Sequence, residues 1–219
     1  MQLAIYQNSE SGRPGLIDAY VAQRGWSATV IKADALPGLR ARPQADAHIF
    51  LGSPCSVNDV HLPWIACQRR LVRSLLQDEV PLFGICFGAQ LIAAETGGAV
   101  GPMARRRRGW MVNTQALDAV WHGPWLRWHE EAVTLPPAAT VIARDEAAIQ
   151  AFRWGQSIGV QFHPEVDAAV LRAWSKHPYF AEETSRSILA DAIEVAEARA
   201  AEIQYRAFAL FESIFSMLT

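Results

Sequence analysis

The chain has 219 residues, of which 51% are hydrophobic, a size and composition that suit one α/β domain with a sizeable core. Its 20 basic and 22 acidic residues give a net charge of −2, which provides no electrostatic case for binding nucleic acid or an anionic membrane. No apolar run approaches the ~18 residues of a spanning helix, and the amino terminus has no signal-peptide pattern. The three cysteines (Cys55, Cys67 and Cys86) lack C-x-x-C spacing. We expect no metal, no cofactor and a cytoplasmic location.

The first hundred residues alternate between strand and helix patterns. Strands are predicted at 3–7, 28–31, 48–51 and 81–85, and helices at 14–24, 63–77 and 88–95. This alternation favours a three-layer α/β/α sandwich with a mainly parallel central sheet. Shorter β-like segments follow at 111–114, 132–135, 140–143, 149–153 and 158–162. We expect them to form an antiparallel extension of the main sheet, and we interpret residues 1–219 as a single domain.

Residues 167–219 are predicted to form a C-terminal helical extension that ends in one long helix. Apolar residues recur at helical spacing at 193, 196, 200, 203, 207, 210, 214 and 218. We expect this helix to pack on the flank of the sheet. The alternative is a homodimer or partner-docking surface supplied by Phe208, Phe211 and Phe215.

Residues 105–108 are four consecutive arginines, the one dense charge run of the chain. We expect them to lie in a solvated loop. A weaker hypothesis is that they dock to an acidic synthetase partner.

The segment 81–90 is the most informative part of the sequence. An apolar run ends in Gly-x-Cys-x-Gly, and an Ala-rich stretch suited to a helix follows at once. This pattern is typical of a strand that turns sharply into a helix with a nucleophile, here Cys86, at the apex. Gly84 and Gly88 leave room for so tight a turn, and a helix N-terminus favours thiolate. The alternative is a buried cysteine that only fills space.

A nucleophilic cysteine needs a base, and the base needs an orienting partner. His163 and Glu165 can fill these roles after segment 158–162, which is predicted to be a buried strand that Pro164 ends. Both catalytic segments would then finish at the carboxyl edge of one parallel sheet, where ligands bind in open α/β folds. The alternative for His163 is a hydrogen-bonded loop histidine.

Three motifs together resemble those of the class I (triad-type) glutamine amidotransferases. They are Gly-Ile-Cys-Phe-Gly-Ala-Gln at 84–90, Gln-Phe-His-Pro-Glu at 161–165 and Leu-Gly-Ser-Pro-Cys-Ser-Val-Asn-Asp at 51–59. Segments 128–136 and 150–155 are also similar to the amidotransferase part of GMP synthase. The sequence departs from the pattern after His129, where Glu130 and Glu131 replace a smaller residue and an Asp.

The resemblance implies a reaction. Cys86 would attack the side-chain amide of L-glutamine and form a γ-glutamyl thioester, His163 would act as acid and base, and Glu165 would orient the imidazole. The ammonia would pass to a separate acceptor enzyme, since no P-loop or second domain appears in this chain.

The resemblance also implies supporting residues. The segment 51–59 is similar to the family's oxyanion loop, so backbone N–H groups of Gly52, Ser53 and Phe87 would form the oxyanion hole. Ser53 replaces the usual second glycine of that loop. Gln90 and His129 would contact the glutamine substrate. The alternatives are an ordinary polar helix residue for Gln90 and simple packing for His129.

Two other functions stay open. The first is a γ-glutamyl hydrolase or peptidase that uses the same triad on a larger γ-glutamyl amide. The second is a catalytically silent regulatory paralogue that keeps only the fold. Two local hypotheses accompany these: segment 175–180 could lean over the cleft, and Cys55 could form a reversible disulfide with Cys86 if their Cα atoms lie within ~7 Å.

Overall fold

The computed structural model describes residues 1–218. Its strands are β1 (Gln2–Gln7), β2 (Ser27–Lys32), β3 (Ala47–Phe50), β4 (Leu82–Ile85), β5 (Ala99–Met111), β6 (Gln115–Ala116), β7 (Trp125–Thr134), β8 (Thr140–Arg144), β9 (Ile149–Trp154) and β10 (Ser157–Val160). Its α-helices are α1 (Leu16–Gln23), α2 (Pro63–Gln77), α3 (Phe87–Glu95), α4 (Ala168–Trp174), α5 (Glu183–Ala198) and α6 (Ala200–Leu218). Short 3-10 helices span Ala33–Gly38, Ala119–Trp121 and Pro178–Phe180. Within residues 1–218, no helix combines the length and apolarity needed to cross a membrane. Thr219, the last residue of the predicted extension, lies outside the described residues.

Eight strands form the main sheet, in the order β2-β1-β3-β4-β10-β9-β8-β6. The first five are parallel, and β9, β8 and β6 continue the sheet with antiparallel pairing. The predicted parallel sheet with an antiparallel extension is therefore confirmed, and the four predicted parallel strands and three predicted helices of the first hundred residues agree closely with the structure.

Both faces of the central strands of the sheet are buried, as strand β1 illustrates. Leu3 and Ile5 belong to a hydrophobic cluster with α1, α4, α5 and α6, whereas Ala4 and Tyr6 belong to a second cluster with α2 and α3. Side chains alternate between faces along a strand, so this division places one helical layer on each side. The predicted three-layer α/β/α sandwich is confirmed.

Two of the predicted extension strands lie elsewhere. Strand β5 pairs with β7 as a separate two-stranded antiparallel sheet, from Ala99 opposite Thr134 to Met111 opposite Trp125. The predicted strand 132–135 is the end of β7, and only the first residue of predicted strand 111–114 is in β5. The prediction that segments 111–114 and 132–135 extend the main sheet is wrong. These segments overlap the ends of the longer strands β5 and β7, which pair with each other.

The prediction of a solvated loop at residues 105–108 is also wrong, because these arginines lie within β5. Arg108, whose side chain is 9% exposed, forms ion pairs with Glu130 (2.8 Å) and Glu182 (3.4 Å), and Arg106 lies 3.3 Å from Glu130. Acidic residues of β7 and of the start of α5 thus compensate the charge and allow a strand to form. The partner-docking hypothesis stays a prediction.

The predicted long C-terminal helix is two helices, since α5 ends and α6 begins around Arg199, which has the non-helical angles φ −121° and ψ 27°. The apolar face of α6 packs on the sheet flank as expected. Phe211 and Phe215 are buried in the core beside Tyr20, and the Phe208 ring lies 5.4 Å from Tyr20. These rings pack against other residues of the same chain, and dimerisation stays a prediction.

The turn from β4 into α3 is one residue long. Cys86 makes it with φ 51° and ψ −106°, a backbone conformation that residues with a side chain rarely adopt. A Cβ on Gly84 would lie 2.4 Å from the Gly88 backbone, and one on Gly88 would lie 2.0 Å from the Phe50 carbonyl oxygen. The predicted sharp turn is confirmed, and its two glycines are required by backbone-to-backbone contact.

Gly88→Ala is expected to lower the free energy of unfolding by about 1–3 kcal/mol or more, because a methyl group cannot enter without moving the β3 backbone. Guanidinium chloride unfolding followed by circular dichroism measures this. Gly101→Ala is the matched control, since no atom lies within 4 Å of its Cβ position, and a change within about 0.5 kcal/mol is expected. Wild-type stability of Gly88→Ala would contradict the packing argument.

Candidate active site

Cys86 lies at the carboxyl edge of the parallel sheet and is fixed by hydrogen bonds on both sides of its turn. Its N–H donates to the Val160 carbonyl (2.7 Å), and its own carbonyl accepts the Gln90 N–H (3.0 Å). The side chain is 6% exposed, and Sγ lies 4.0 Å from the Trp128 carbonyl oxygen. The N-terminus of α3, with its unpaired N–H groups, begins at the next residue.

His163 and Glu165 follow β10. The strand ends at Val160, earlier than the predicted Phe162. The Gln161 N–H still donates to Gln150 of β9 (2.9 Å), and the His163 N–H then donates to Leu126 of β7 (2.8 Å). His163 Nδ1 lies 2.8 Å from Glu165 Oε1, and both side chains are buried. This hydrogen bond uses Nδ1, so the other imidazole nitrogen, Nε2, is available for a hydrogen bond with Cys86.

The pKa of His163 is raised from 6.5 to about 10. Burial alone would lower this pKa, but the Glu165 carboxylate, the Cys86 thiolate and hydrogen bonds to both more than offset burial. The imidazole is therefore protonated at neutral pH. The structure thus brings Cys86, from one sequence motif, together with His163 and Glu165, from another.

The Gly52–Ser53 segment lies against these side chains. A Cβ on Gly52 would lie 2.9 Å from His163 Cε1 and 3.7 Å from Cys86 Cβ. The Ser53 hydroxyl accepts a backbone N–H of its own loop (3.1 Å), so this side chain stabilises the turn. Phe87 is the first residue of α3, where helical N–H groups have no partner within the helix. All three predicted oxyanion positions adjoin Cys86, and their role stays a prediction.

Two cavities meet at Cys86. The first, here called the aromatic cavity, is open to solvent; its lining includes His163, Glu165, Trp128, Trp174, Tyr179 and Phe180, together with Ser9, Ser11 and His177. The second, here called the polar cavity, is also open to solvent; its lining includes Ser56, Gln90, His129, Glu130 and Glu131. Cys86, Trp128 and Tyr179 line both cavities. The sulfur is therefore accessible from two chemically different sides.

Aromatic rings in mutual contact form part of the wall of the aromatic cavity. The Trp174 ring lies 4.9 Å from His163 and 5.3 Å from Phe180, and Phe180 lies 5.2 Å from Trp128. Part of this wall comes from segment 175–180, so the expectation that this segment leans over the cleft is confirmed. No sequence pattern indicated that Trp174 would contact the histidine, since a tryptophan at helical spacing is more often a core residue.

Gln90 and His129, the two predicted substrate contacts, are buried and line the polar cavity. His129 Nδ1 lies 2.9 Å from the Glu131 carbonyl oxygen and therefore donates to it. Burial lowers the pKa of His129 to about 4, so the ring is neutral at pH 7. Its Nε2 is then a buried acceptor without a hydrogen-bond partner among residues 1–218.

Glu130 and Glu131 also line the polar cavity, although the sequence marked them only as departures from a family pattern. Glu130 is paired with Arg108 and Arg106. The Glu131 carboxylate accepts a hydrogen bond from the Ser56 hydroxyl (2.8 Å) and forms no ion pair within the described part of the chain. Glu131 therefore brings to this cavity a carboxyl group that has a hydrogen-bond donor but no ion-pair partner among residues 1–218.

Cys55 and Cys86 both carry free thiols and both line the polar cavity. The hypothesis that they form a reversible disulfide stays a prediction. In residues 1–218, no group of three or more His, Cys, Asp or Glu side chains is arranged to hold a metal ion.

Residues 9–198 match the family model described as glutamine amidotransferase class-I. The chain is 38% identical over 138 residues to the glutamine-hydrolyzing GMP synthase of Thermus thermophilus, an alignment that covers 58% of this chain and 26% of the relative. The chain thus corresponds to about a quarter of that curated relative's length.

Two solved structures share the fold. A glutamine amidotransferase from Thermotoga maritima superposes with a TM-score of 0.85 at 22% identity, over 98% of this chain and 97% of the other. A glutamine amidotransferase from Methylobacillus flagellatus gives 0.83 at 24% identity, over 100% and 95%. At such identities the likeness shows the fold alone. Since the family model spans most of the chain and the motif residues converge at one site, this protein belongs to the class I glutamine amidotransferase family.

Proposed function

We propose that the protein hydrolyses the side-chain amide of L-glutamine to glutamate and ammonia through a γ-glutamyl thioester on Cys86. The observation that carries this proposal is the buried Cys86–His163–Glu165 cluster, in which the 2.8 Å His–Glu bond fixes the imidazole beside the sulfur. Family membership of residues 9–198 supports the same chemistry. We place the reaction in the cytoplasm, where free thiols stay reduced.

The cycle has two halves. The Cys86 thiolate attacks the amide carbon, the C–N bond breaks, and His163 donates its proton to the departing ammonia. Water then attacks the thioester carbon while His163 takes a proton from it, the C–S bond breaks, and the sulfur recovers as thiolate. Glu165 keeps the proton of Nδ1 in place, so that Nε2 is the nitrogen that exchanges protons with the reactants.

Backbone N–H groups stabilise the oxyanion of both tetrahedral intermediates. The N–H of Phe87, at the start of α3, and those of Gly52 and Ser53 are the proposed donors. One such donor typically contributes ~10²–10³ in rate, because it is fixed before the charge develops.

The polar cavity is the proposed site for the α-amino end of the substrate. Gln90 supplies amide donors and acceptors, and the Glu131 carboxylate, which lacks a cationic partner among the described residues, complements an α-ammonium group. His129, neutral at pH 7, offers its Nε2 as an acceptor.

The fate of the ammonia is also a proposal. Ammonia released to neutral water becomes ammonium and loses nucleophilicity, so a separate synthetase subunit is expected to receive it. The match to about a quarter of a GMP synthase supports this view. A γ-glutamyl hydrolase that acts on a larger amide is the second candidate, which the aromatic cavity beside His163 favours.

Cys86→Ala is expected to abolish ammonia release, with at least ~10⁴-fold loss of kcat, because the alanine side chain has no sulfur that could attack the amide carbon. A coupled glutamate assay and mass detection of a thioester on the wild-type protein measure this. Cys67→Ala is the matched control, since Cys67 lies in α2 outside both cavities. Ammonia release by Cys86→Ala would show that the nucleophile is wrongly assigned, and no release by wild type would favour the silent paralogue.

Glu165→Gln is expected to lower the pKa of His163, because burial would act without the opposing carboxylate. The imidazolium proton, which in the wild type is lost only as pH rises through about 10, would then be lost at lower pH. We expect kcat to fall roughly 10²–10⁴-fold. The pH profile of Cys86 alkylation measures the shift. Glu183→Gln, at an exposed position, is the control, and an unchanged profile for Glu165→Gln would contradict the coupling.

Glu131→Gln is expected to raise KM for L-glutamine about tenfold with a smaller change in kcat, since a charge-assisted contact remote from the reacting atoms would be lost. Steady-state kinetics test this, with Glu146→Gln, exposed between β8 and β9, as the control. An unchanged KM would remove Glu131 from the substrate site.

A further inference from the structure

We infer that the aromatic cavity is a leaving-group subsite, and that the enzyme cleaves γ-glutamyl amides whose amine carries an apolar alkyl or aryl group. This inference rests on the proposed function, because it assumes that Cys86 is acylated by a γ-glutamyl group. It adds the chemical class of the amine, which neither the family nor the triad specifies.

The arrangement of the two cavities around the sulfur orients the substrate. Gln90 and Glu131 line only the polar cavity, whereas His163 and Glu165 line only the aromatic cavity. The α-amino and α-carboxylate end of a γ-glutamyl group needs polar partners and therefore fits the polar side. The leaving nitrogen must lie within hydrogen-bond reach of His163, which protonates it, so any substituent on that nitrogen extends into the aromatic cavity.

The walls of this cavity suit an apolar substituent better than ammonia. Trp174 stands edge-on to His163, stacks on Phe180 and approaches Trp128, so the space beyond the imidazole is bounded by three rings. An alkyl chain or aryl ring placed against these three rings removes both its own surface and theirs from water, a gain that ammonia cannot make. Ser9, Ser11 and His177 line other parts of the same cavity, so the match to a hydrophobic amine rests on the aromatic part of the lining next to His163.

The walls are held in place before any substrate binds. The Arg108 guanidinium lies 5.2 Å from the Trp128 ring centroid and is itself fixed by Glu130 (2.8 Å). Phe180 is 7% exposed and packs between Trp174 and Tyr179. A preformed subsite loses little conformational entropy on binding.

The reaction needs no additional reagent. The thiolate of Cys86 forms a C–S bond to the γ-carbonyl carbon, the C–N bond breaks, and the amine leaves with the proton of His163. Water then supplies the oxygen of the γ-carboxylate, its proton passes to His163, and the C–S bond breaks. The products are glutamate and a free alkyl or aryl amine.

A homologous series of substrates tests the inference on the full chain. The compounds are L-glutamine and the γ-glutamyl ethyl, propyl and butyl amides and anilide, with glutamate release as the common readout. We expect kcat/KM to rise about fourfold per added methylene until the cavity is filled, the factor that corresponds to burial of one methylene. A decline with every added methylene, with L-glutamine the best substrate, would overturn the subsite.

A pair of variants localises the effect. Phe180→Leu is expected to reduce the ratio of kcat/KM for the anilide to that for L-glutamine about threefold to tenfold, because a ring contact is lost. Phe208→Leu, a phenylalanine of α6 that packs on Tyr20 away from both cavities, is expected to leave the ratio at its wild-type value. An unchanged ratio in Phe180→Leu, with thermal melting that shows a folded protein, would overturn the assignment of the cavity.

Failure of this inference and failure of the proposed function are distinguishable. A thioester on Cys86 formed from L-glutamine, together with no turnover of the larger amides, overturns the subsite and leaves the proposed function standing. No thioester from any compound overturns both. Turnover of the larger amides that exceeds that of L-glutamine supports both and selects the γ-glutamyl amides as substrates.

Discussion

The contact on which the rest of the site depends is the one between α3 and β3, where two backbones touch with no side chain between them. Gly88 lies so close to the Phe50 carbonyl that a Cβ there would come within 2.0 Å. This closeness forces the one-residue turn at Cys86 and puts the sulfur at the helix N-terminus. It also brings Gly52, which follows β3, beside His163. One steric constraint therefore places both the sulfur and the proposed oxyanion segment.

Electrostatic interactions set the protonation state of the histidine that packing places beside Cys86. His163 is buried, which by itself favours the neutral ring, yet its pKa is raised to about 10 because the Glu165 carboxylate and the Cys86 thiolate flank it. A buried cation persists only where such partners surround it. His129, equally buried but without a carboxylate partner, shows the opposite outcome, a pKa lowered to about 4. The difference between the two histidines comes from their neighbours rather than from burial.

Cys86 can be approached from two sides, which the proposed mechanism assigns to recognition of the γ-glutamyl group and to departure of the amine. Gln90, Glu130 and Glu131 lie on one side of the sulfur, and the His163 imidazole with Trp174 and Phe180 lies on the other, where Ser9, Ser11 and His177 complete the lining. The hairpin of β5 and β7 contributes to both sides, through Glu130 and Glu131 on the polar side and Trp128 at the junction. Arg108 joins these parts, since it pairs with Glu130 and covers the Trp128 ring. In the proposed mechanism, β7 therefore contributes to both the polar and the aromatic contacts of the substrate.

Local signals in the sequence determined the parallel sheet, the turn at Cys86 and the three residues proposed as a triad, because each depends on short-range spacing, on glycine sterics or on residue chemistry. Predictions from these local signals were wrong where contacts between residues distant in sequence determine the structure. Arg105–Arg108 became part of a strand because Glu130 and Glu182, distant in sequence, compensate the charge of Arg106 and Arg108. The helical spacing of apolar residues at 193–218 continues through Arg199 with no glycine or proline to end a helix. In the structure, α5 packs on α4 and β5 whereas α6 packs on α1, and the helix is divided at Arg199. The aromatic and polar cavities, which no spacing encodes, exist only because the tertiary fold brings α4, the segment after it and β7 around one sulfur.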